Sequence, residues 1–113
     1  MAAPSYYTLK SHYARLWVSM EIRPSKAADI DATAQKIVAK KTRYSAVAEA
    51  TGVPWYVVGL IHALEAGCDF SCHLHNGDSL KARTHQVPAG RPKAGEPPFQ
   101  WKDSAIDAIR YDG

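Results

Sequence analysis

One stretch decides the fold: residues 54–67, which read PWYVVGLIHALEAG. A proline is tolerated in the first turn of a helix, where its missing amide hydrogen would have no partner, and a glycine commonly ends a helix. Almost every position between the two is apolar, so the pattern predicts a central helix that is buried all round. Only His62 and Glu65 interrupt the apolar run, and their spacing of three residues places them on one face.

The chain before this stretch is also predicted to be helical. In the first helix the apolar residues recur at steps of three and four until the break at Arg23-Pro24: Tyr6, Leu9, Tyr13, Leu16, Trp17 and Met20. Ser25 is the predicted N-cap of a second helix, which has lysines near its C-terminal end. A short third helix is predicted over Tyr44–Ala50, and Gly52 ends it.

After residue 67 the hydrophobic pattern changes from a helical period to near-alternation. Residues 70–75 and 79–87 flank Asn76-Gly77, a pair that accepts the positive φ angles of a tight turn. This arrangement predicts a β-hairpin.

The rest of the chain completes the predicted fold. Residues 88–98 contain four prolines and two glycines and are predicted to form a loop. A last helix is predicted to start near Asp103 or Ser104. The predicted fold class is therefore α+β, mainly helical, as a single domain over residues 1–113 with the hairpin beside the central helix.

Glu65 is the candidate acidic group on the predicted central helix. An ionised carboxylate in apolar surroundings is costly, so a buried Glu65 is expected to stay protonated near neutral pH. A protonated carboxylic acid against an apolar wall is what glycoside cleavage requires as its general acid. The alternative is that Glu65, near the C-terminal end of its helix, reaches water and has no chemical role.

Two residues of the predicted hairpin would complete such a site. Asp78 directly follows the Asn76-Gly77 turn, and Thr84 comes six residues later. They would supply a base and a hydroxyl that hold a water molecule across a groove from Glu65. Each has an ordinary alternative, because aspartate often caps turns and threonine favours strands.

The second half of the chain resembles a family of small bacterial and phage lysozyme-like proteins, which act as peptidoglycan hydrolases. The resemblance covers residues 53–113, and its distinctive segments are IHALE (61–65), HLHNGD (73–78) and RTHQVPAGRP (83–92). In the wider lysozyme superfamily the acid glutamate closes a helix and the following β-hairpin lines the cleft. Phage-type lysozymes place a threonine six residues after the hairpin aspartate, as here, but the thirteen positions from Glu65 to Asp78 exceed their usual gap.

The resemblance implies a lysozyme-like fold and a muramidase that cleaves the β-1,4 glycosidic bond of peptidoglycan. Glu65 would protonate the leaving oxygen, while Asp78 and Thr84 position a water on the opposite face of the sugar. Two alternatives stay open: a lytic transglycosylase that uses Glu65 alone and releases an anhydro sugar, and a non-catalytic module that binds peptidoglycan. The substrate-binding role is assigned to polar side chains of the hairpin region: His73, His75, Asn76 and Arg83.

Histidines and cysteines around the turn raise the question of a metal, since thiolate and imidazole are the ligands zinc prefers. The spacing Cys-x3-Cys-His-x-His is not a usual structural zinc pattern, and alternation along a strand would separate Cys72 from His73 and His75. A zinc-dependent hydrolase is therefore the less favoured alternative, and the sequence predicts no metal and no cofactor. Cys68 and Cys72 are predicted to be free thiols, with a disulfide as the alternative.

Composition limits the partners. Fourteen basic against eleven acidic residues give a net charge of +3, weaker than in a dedicated nucleic-acid binder but suited to an anionic polymer such as a cell wall. The expected partner is therefore the peptidoglycan strand and not nucleic acid. No apolar stretch is long enough for a membrane span and no signal peptide is evident, so we expect a protein held in the bacterial cytoplasm until its release to the wall, or a phage-encoded one.

Two further surfaces are expected to need partners. Phe99 and Trp101 follow the polar, proline-rich loop and are predicted to form a docking patch. The last helix ends soon after Ile109 and Tyr111, and relatives in the resembled family look longer. We therefore expect this apolar surface to be covered by self-association or by a missing C-terminal helical partner.

Overall fold

The computed structural model describes residues 3–111. Its described part contains five α-helices and one 3₁₀ turn: α1 Tyr6–Ser19, the 3₁₀ turn Pro24–Lys26, α2 Ala27–Ala39, α3 Lys41–Thr51, α4 Trp55–Ala66 and α5 Trp101–Arg110. The chain divides into two compact units between Asp31 and Ala32, a point inside α2. The prediction of a mainly helical protein is confirmed.

The first unit is built around α1. The hydroxyl of Ser5 accepts a hydrogen bond from the amide of Thr8 and caps the helix, and none of the α1 side chains is buried. The prediction of Ser25 as an N-cap is wrong. Pro24 starts a 3₁₀ turn that contains Ser25 and leads directly into α2 at Ala27, so the serine lies inside this turn.

The second unit holds the hydrophobic core, which joins α3, α4 and α5 to the end of α2 and to the loop after α4. Its buried members are Ile37, Tyr44, Val47, Val58, Leu74, Leu80, Trp101 and Ala105. Gly52 and Gly67 end α3 and α4 in the left-handed conformation. Gly59 permits close packing of α4, because a Cβ there would overlap Cγ2 of Ile37 and lie 3.3 Å from the ring of Tyr44.

The expectation that α4 is buried all round is wrong, because its packing neighbours cover one face. Val58, Gly59 and His62 are buried, and they face α3 and the loop after α4. On the other side Leu60 is 54% exposed and Leu64 is 85% exposed. A nearly continuous apolar sequence is therefore compatible with a helix that buries only part of its surface.

The predicted β-hairpin does not form: the described residues contain only an isolated antiparallel bridge, between Cys72 and Ser79. The Asn76-Gly77 turn is present, with Gly77 at φ +84°. After the bridge, side chains form hydrogen bonds with backbone groups of residues 82–86 that a second strand would use for pairing. His73 Nε2 donates to the carbonyl of Ala82 at 2.7 Å, and no regular strand extends through residues 79–87.

Residues 88–98 contain turns and no helix or strand, and α5 follows two residues earlier than the sequence predicts. The predicted docking patch is wrong, because Trp101 is a core residue with 3% exposure and Phe99 packs against the core. Taken singly, no helix in the described range is both long and apolar enough to cross a membrane. The pair α3 and α4, bent by 112°, passes that test of length and composition only when taken together.

Candidate functional site

A cavity of about 430 Å³ lies beside α4 in the second unit. Its residues come from α4 and the segment before it, from the turn after α4, from the loop before α5 and from the end of α5: Val53, Val57, Ile61, Glu65, Leu74, His75, Pro88, Ala108, Ile109 and Tyr111. Val57, Ile61 and Glu65 are spaced by four residues and therefore share a face of α4. The volume falls within the range of ligand pockets, roughly 300–1,000 Å³.

Glu65 stands in the last turn of α4 and lines this cavity. Its side chain is exposed, so the expectation of a desolvated carboxyl is wrong. Glu65 follows the buried Val58 by seven residues, but it lies in the last turn of α4, beyond the part of that face that is covered. In the described part of the chain no hydrogen bond or ion pair engages its carboxyl group, which is free to meet a ligand.

The turn of residues 76–78 is packed directly against the end of α4. A Cβ added to Gly77 would lie 2.8 Å from the carbonyl oxygen of Glu65, closer than Cβ atoms come in real structures. The positive φ of +84° makes a side chain unfavourable there as well. Glycine at this position therefore fixes the distance between the turn and the backbone of Glu65.

His75 lines the cavity and belongs to a partly buried cluster with Asp107 and Arg91. Its Nε2 lies 2.7 Å from Oδ2 of Asp107, and the His75 side chain is 1% exposed. Arg91 holds the same carboxylate with two hydrogen bonds, of 3.1 Å from Nε and 2.6 Å from Nη2. The cluster ties the turn after α4 to α5 and to the loop between them.

The cluster leaves one nitrogen of His75 without a partner. Burial lowers the pKa of His75 below its ordinary value of 6.5, although the hydrogen bond to Asp107 works to raise it. The imidazole is therefore neutral at pH 7, and because Nε2 donates to the carboxylate, Nδ1 carries the lone pair. Nδ1 is buried and makes no hydrogen bond within the described residues.

Asp78 is buried and holds the loop that follows it, which is not what the sequence predicts for a water-activating base. Its Oδ2 accepts hydrogen bonds of 3.0 Å from the amides of both His85 and Gln86, and its Oδ1 accepts one of 2.7 Å from the side chain of Gln86. Burial works to raise the pKa of Asp78, but these hydrogen bonds outweigh it and leave the pKa below the ordinary 3.8. The geometry assigns Asp78 a loop-anchoring role.

Thr84 is likewise part of the loop framework. It is 3% exposed, and its hydroxyl donates to the carbonyl of Pro88 and accepts a 2.9 Å hydrogen bond from the amide of Arg91. Its hydroxyl is thus committed to the backbone, whereas the sequence predicts that it holds a water. Pro88 is the cavity residue that this bond positions.

Three of the four predicted substrate-binding residues bind the protein's own backbone or core. His73 is fully buried, with Nδ1 accepting from Ser104 Oγ at 2.6 Å and Nε2 donating to Ala82. Asn76 donates to the carbonyl of Gln86 at 3.1 Å. Arg83 donates to the carbonyls of Pro92 and Gly95. Only His75 lines the cavity with Glu65.

Asp107 and Arg91 complete the environment of His75, and the sequence analysis did not assign Asp107 to the site. Asp107 lies 32 residues after His75 in sequence, and Arg91 lies 16 residues before Asp107. No local spacing links them. The nearest signal is an aspartate between the two isoleucines of α5, where an amphipathic pattern leaves its role open.

Across residues 3–111, no group of three or more His, Cys, Asp or Glu side chains is arranged to hold a metal ion. Cys68 and Cys72 are both free thiols and partly buried. His73, His75 and Cys72 each lie in a different environment, the core, the ionic cluster and the turn surface respectively.

Comparison of the chain with protein families, with curated proteins and with solved structures finds no match.

Proposed function

We propose that this protein cleaves the β-1,4 glycosidic bonds of peptidoglycan strands, with Glu65 as the proton donor. The observation that carries the proposal is the position of Glu65, an exposed and unengaged carboxyl group at the end of α4 that lines a cavity with aliphatic walls. The substrate class follows from the resemblance of residues 53–113 to lysozyme-like peptidoglycan hydrolases.

The cavity supports an acid role that begins when substrate binds. A sugar ring lying against Val57 and Ile61 would cover Glu65 and remove water from its carboxyl group. Exclusion of water strengthens the interaction between the carboxyl group and the leaving oxygen, which favours transfer of a proton from Glu65 to that oxygen. The C1–O bond then breaks as the proton passes from Glu65 to the glycosidic oxygen.

In the described part of the chain, the cavity is lined by one carboxyl group, which favours a mechanism with a single acid. Of the described residues that line it, only Glu65 carries a carboxyl group. Two-carboxylate hydrolysis needs a second group to activate water on the opposite face, and Asp78 is engaged by the amides of His85 and Gln86.

The reaction that fits one carboxyl group is an internal transfer. The Glu65 carboxylate, having given its proton to the leaving oxygen, takes a proton from the C6 hydroxyl of the same sugar. That oxygen bonds to C1, which forms an anhydro sugar without consuming water. Asp78 and Thr84 act as positioning residues in this proposal, because they hold the loop that carries Pro88.

His75 forms part of the cavity wall in this proposal, and Asp107 fixes the position of its ring. Its Nδ1 has no partner among the described residues, but it is buried, so a sugar reaches this nitrogen only after the side chain moves. The hydrogen bond to Asp107 keeps the lone pair on Nδ1.

The test is digestion of purified sacculi, with muropeptides analysed by mass spectrometry. Glu65→Gln should reduce product release at least about 100-fold, the scale of general acid catalysis. Glu49→Gln is the matched control, because Glu49 is also an exposed helical glutamate but lies on α3, outside the cavity. Both variants should keep the far-ultraviolet circular dichroism of the wild type.

The products distinguish the alternatives. Anhydro muropeptides support the single-acid reaction, whereas reducing ends would show hydrolysis and require a second group beside Glu65. Wild-type protein that sediments with sacculi but releases nothing would be a binding module. Full activity of Glu65→Gln would remove the proposal altogether.

A further inference from the structure

The α1 helix presents an apolar face to solvent. No α1 residue is buried, and Trp17 is 74% exposed. We call the exposed residues Tyr6, Tyr13, Leu16, Trp17 and Met20 the α1 patch; four of the five line or border a groove of about 500 Å³ along the helix end. A helix of this length is marginal in water unless its apolar face is packed, so the α1 patch indicates a partner.

The α1 helix carries basic side chains, Lys10 and Arg15, and no acidic ones. Residues 1–26 contain four basic side chains, Lys10, Arg15, Arg23 and Lys26, and a single acidic one, Glu21. The first unit as a whole, Met1–Asp31, contains these four basic residues and three acidic ones, because Asp29 and Asp31 also belong to it. The 14 residues of α1 include no Asp or Glu. The partner should therefore be anionic.

The aromatic content of α1 favours a lipid surface as this partner. Four of its 14 residues are Tyr or Trp, the side chains that prefer the boundary between hydrocarbon and water. Lys10 is exposed within three residues of Tyr13, where a long basic side chain can reach headgroups while the apolar face is immersed. A second copy of the chain would bring two positive patches together, which disfavours pairing through α1.

We propose that the α1 patch docks on the surface of an anionic lipid bilayer, with α1 lying in the interface plane. This mode needs an amphipathic helix with aromatic and aliphatic residues on one face and basic residues nearby, and it involves no membrane span. It depends on neither Glu65 nor the cavity, so it holds whether or not the protein cleaves peptidoglycan.

The experiment is cosedimentation of the full chain with vesicles. Vesicles of phosphatidylglycerol and phosphatidylcholine should bind the protein at low salt, and pure phosphatidylcholine vesicles should bind it at least about tenfold more weakly. Binding to the anionic vesicles should fall in high salt, because salt screens the attraction.

Variants separate the contribution of the apolar side chains to vesicle binding from that of the basic ones. Trp17→Ser, and separately the double change Lys10→Glu with Arg15→Glu, should each lower the partition coefficient about tenfold or more. The controls are Tyr56→Ser and Lys81→Glu, which alter exposed residues of the second unit and should bind like the wild type. Since all these side chains are exposed, circular dichroism should be unchanged.

Two results would overturn the proposal. One is failure to sediment with the anionic vesicles at low salt. The other is a concentration-dependent dimer in sedimentation velocity that Trp17→Ser abolishes, which would show that a second copy covers the patch. Glu65→Gln should bind vesicles like the wild type, so failure of the glycosidase proposal leaves this test intact.

Discussion

The hydroxyl of Tyr44 donates a 2.8 Å hydrogen bond to Nδ1 of His62, and both side chains are fully buried. The direction is set by the other ring nitrogen, because Nε2 of His62 donates to the carbonyl of Asp69 at 3.0 Å. This polar chain passes through the core and links α3, α4 and the turn that follows α4. The imidazole is neutral in this arrangement, since Nδ1 must supply a lone pair.

Replacing Tyr44 by Phe should destabilise the protein. The ring is kept, but Nδ1 of His62 loses its donor while it stays buried, at a cost of about 1–3 kcal/mol in the free energy of unfolding. Urea denaturation at pH 7 measures the loss. Tyr56→Phe is the control, because Tyr56 is 54% exposed. Equal stability of the two variants would contradict the role of the buried hydroxyl.

The same variant should change the response to alkali. Burial raises the pKa of Tyr44 from 10.0 to about 12. Between these values the folded protein keeps a proton that the unfolded chain has lost, so the free energy of unfolding falls as the pH rises from 10 towards 12. In Tyr44→Phe the free energy of unfolding should therefore fall less steeply between pH 10 and 12. If the wild type and the variant show the same dependence on pH over this range, the raised pKa of Tyr44 does not contribute.

Stability should also fall on the acid side of neutrality. Burial lowers the pKa values of His62 and His75 below their ordinary 6.5. Below that pH the unfolded chain binds protons that the folded protein excludes, so the free energy of unfolding decreases as the pH falls from 7 to 5. His75→Gln should show a shallower slope over this range in urea denaturation. A slope that matches the wild type would show that His75 does not contribute.

Gly77→Ala should damage both stability and the cleft. The positive φ alone costs about 1–2 kcal/mol for a residue with a Cβ, and the added methyl group would also press on the carbonyl of Glu65 at 2.8 Å. Gly52→Ala is the matched control, since Gly52 has φ +78° but open space around its Cβ position. Denaturation should show a larger loss at Gly77. If both variants lose the same stability, the contact between residue 77 and the carbonyl of Glu65 makes no contribution to the free energy of unfolding.

Asp78→Asn distinguishes an anchor from a base. As an anchor, Asp78 loses charge-assisted hydrogen bonds from His85 and Gln86, and the protein should lose about 1.5–3 kcal/mol of stability. Activity per folded molecule should fall only in part, through displacement of the loop that carries Pro88. Abolished activity with unchanged stability would instead restore the role that the sequence suggests for Asp78.

The helix ends of α3 and α4 could be predicted because they depend on local chemistry. Gly52 and Gly67 adopt the left-handed conformation, and Pro54 directly precedes α4, so each boundary is specified by residues at the boundary. The absence of a hairpin could not be predicted in the same way. In a strand with one buried face, consecutive side chains would alternate between buried and exposed, but His73 and Leu74 are both buried. His73 can be buried because it forms hydrogen bonds with Ala82 and Ser104.

The candidate site was predictable only in part. Glu65 and His75 stand out in the sequence, and both line the cavity. The exposure of Glu65 matches the alternative in which this residue, near the C-terminal end of α4, reaches water. Asp107 was missed because a contact with a residue 32 positions earlier leaves no local pattern in the sequence.

The hydrophobic core of the described chain contains no residue before Ile37, although α2 runs continuously across the division between the two units. Substitutions in residues 3–31 therefore replace no side chain of the core and none that lines the cavity beside Glu65. If α1 docks on lipid as we propose, the strength of that docking can change through residues that neither the core nor the cavity contains.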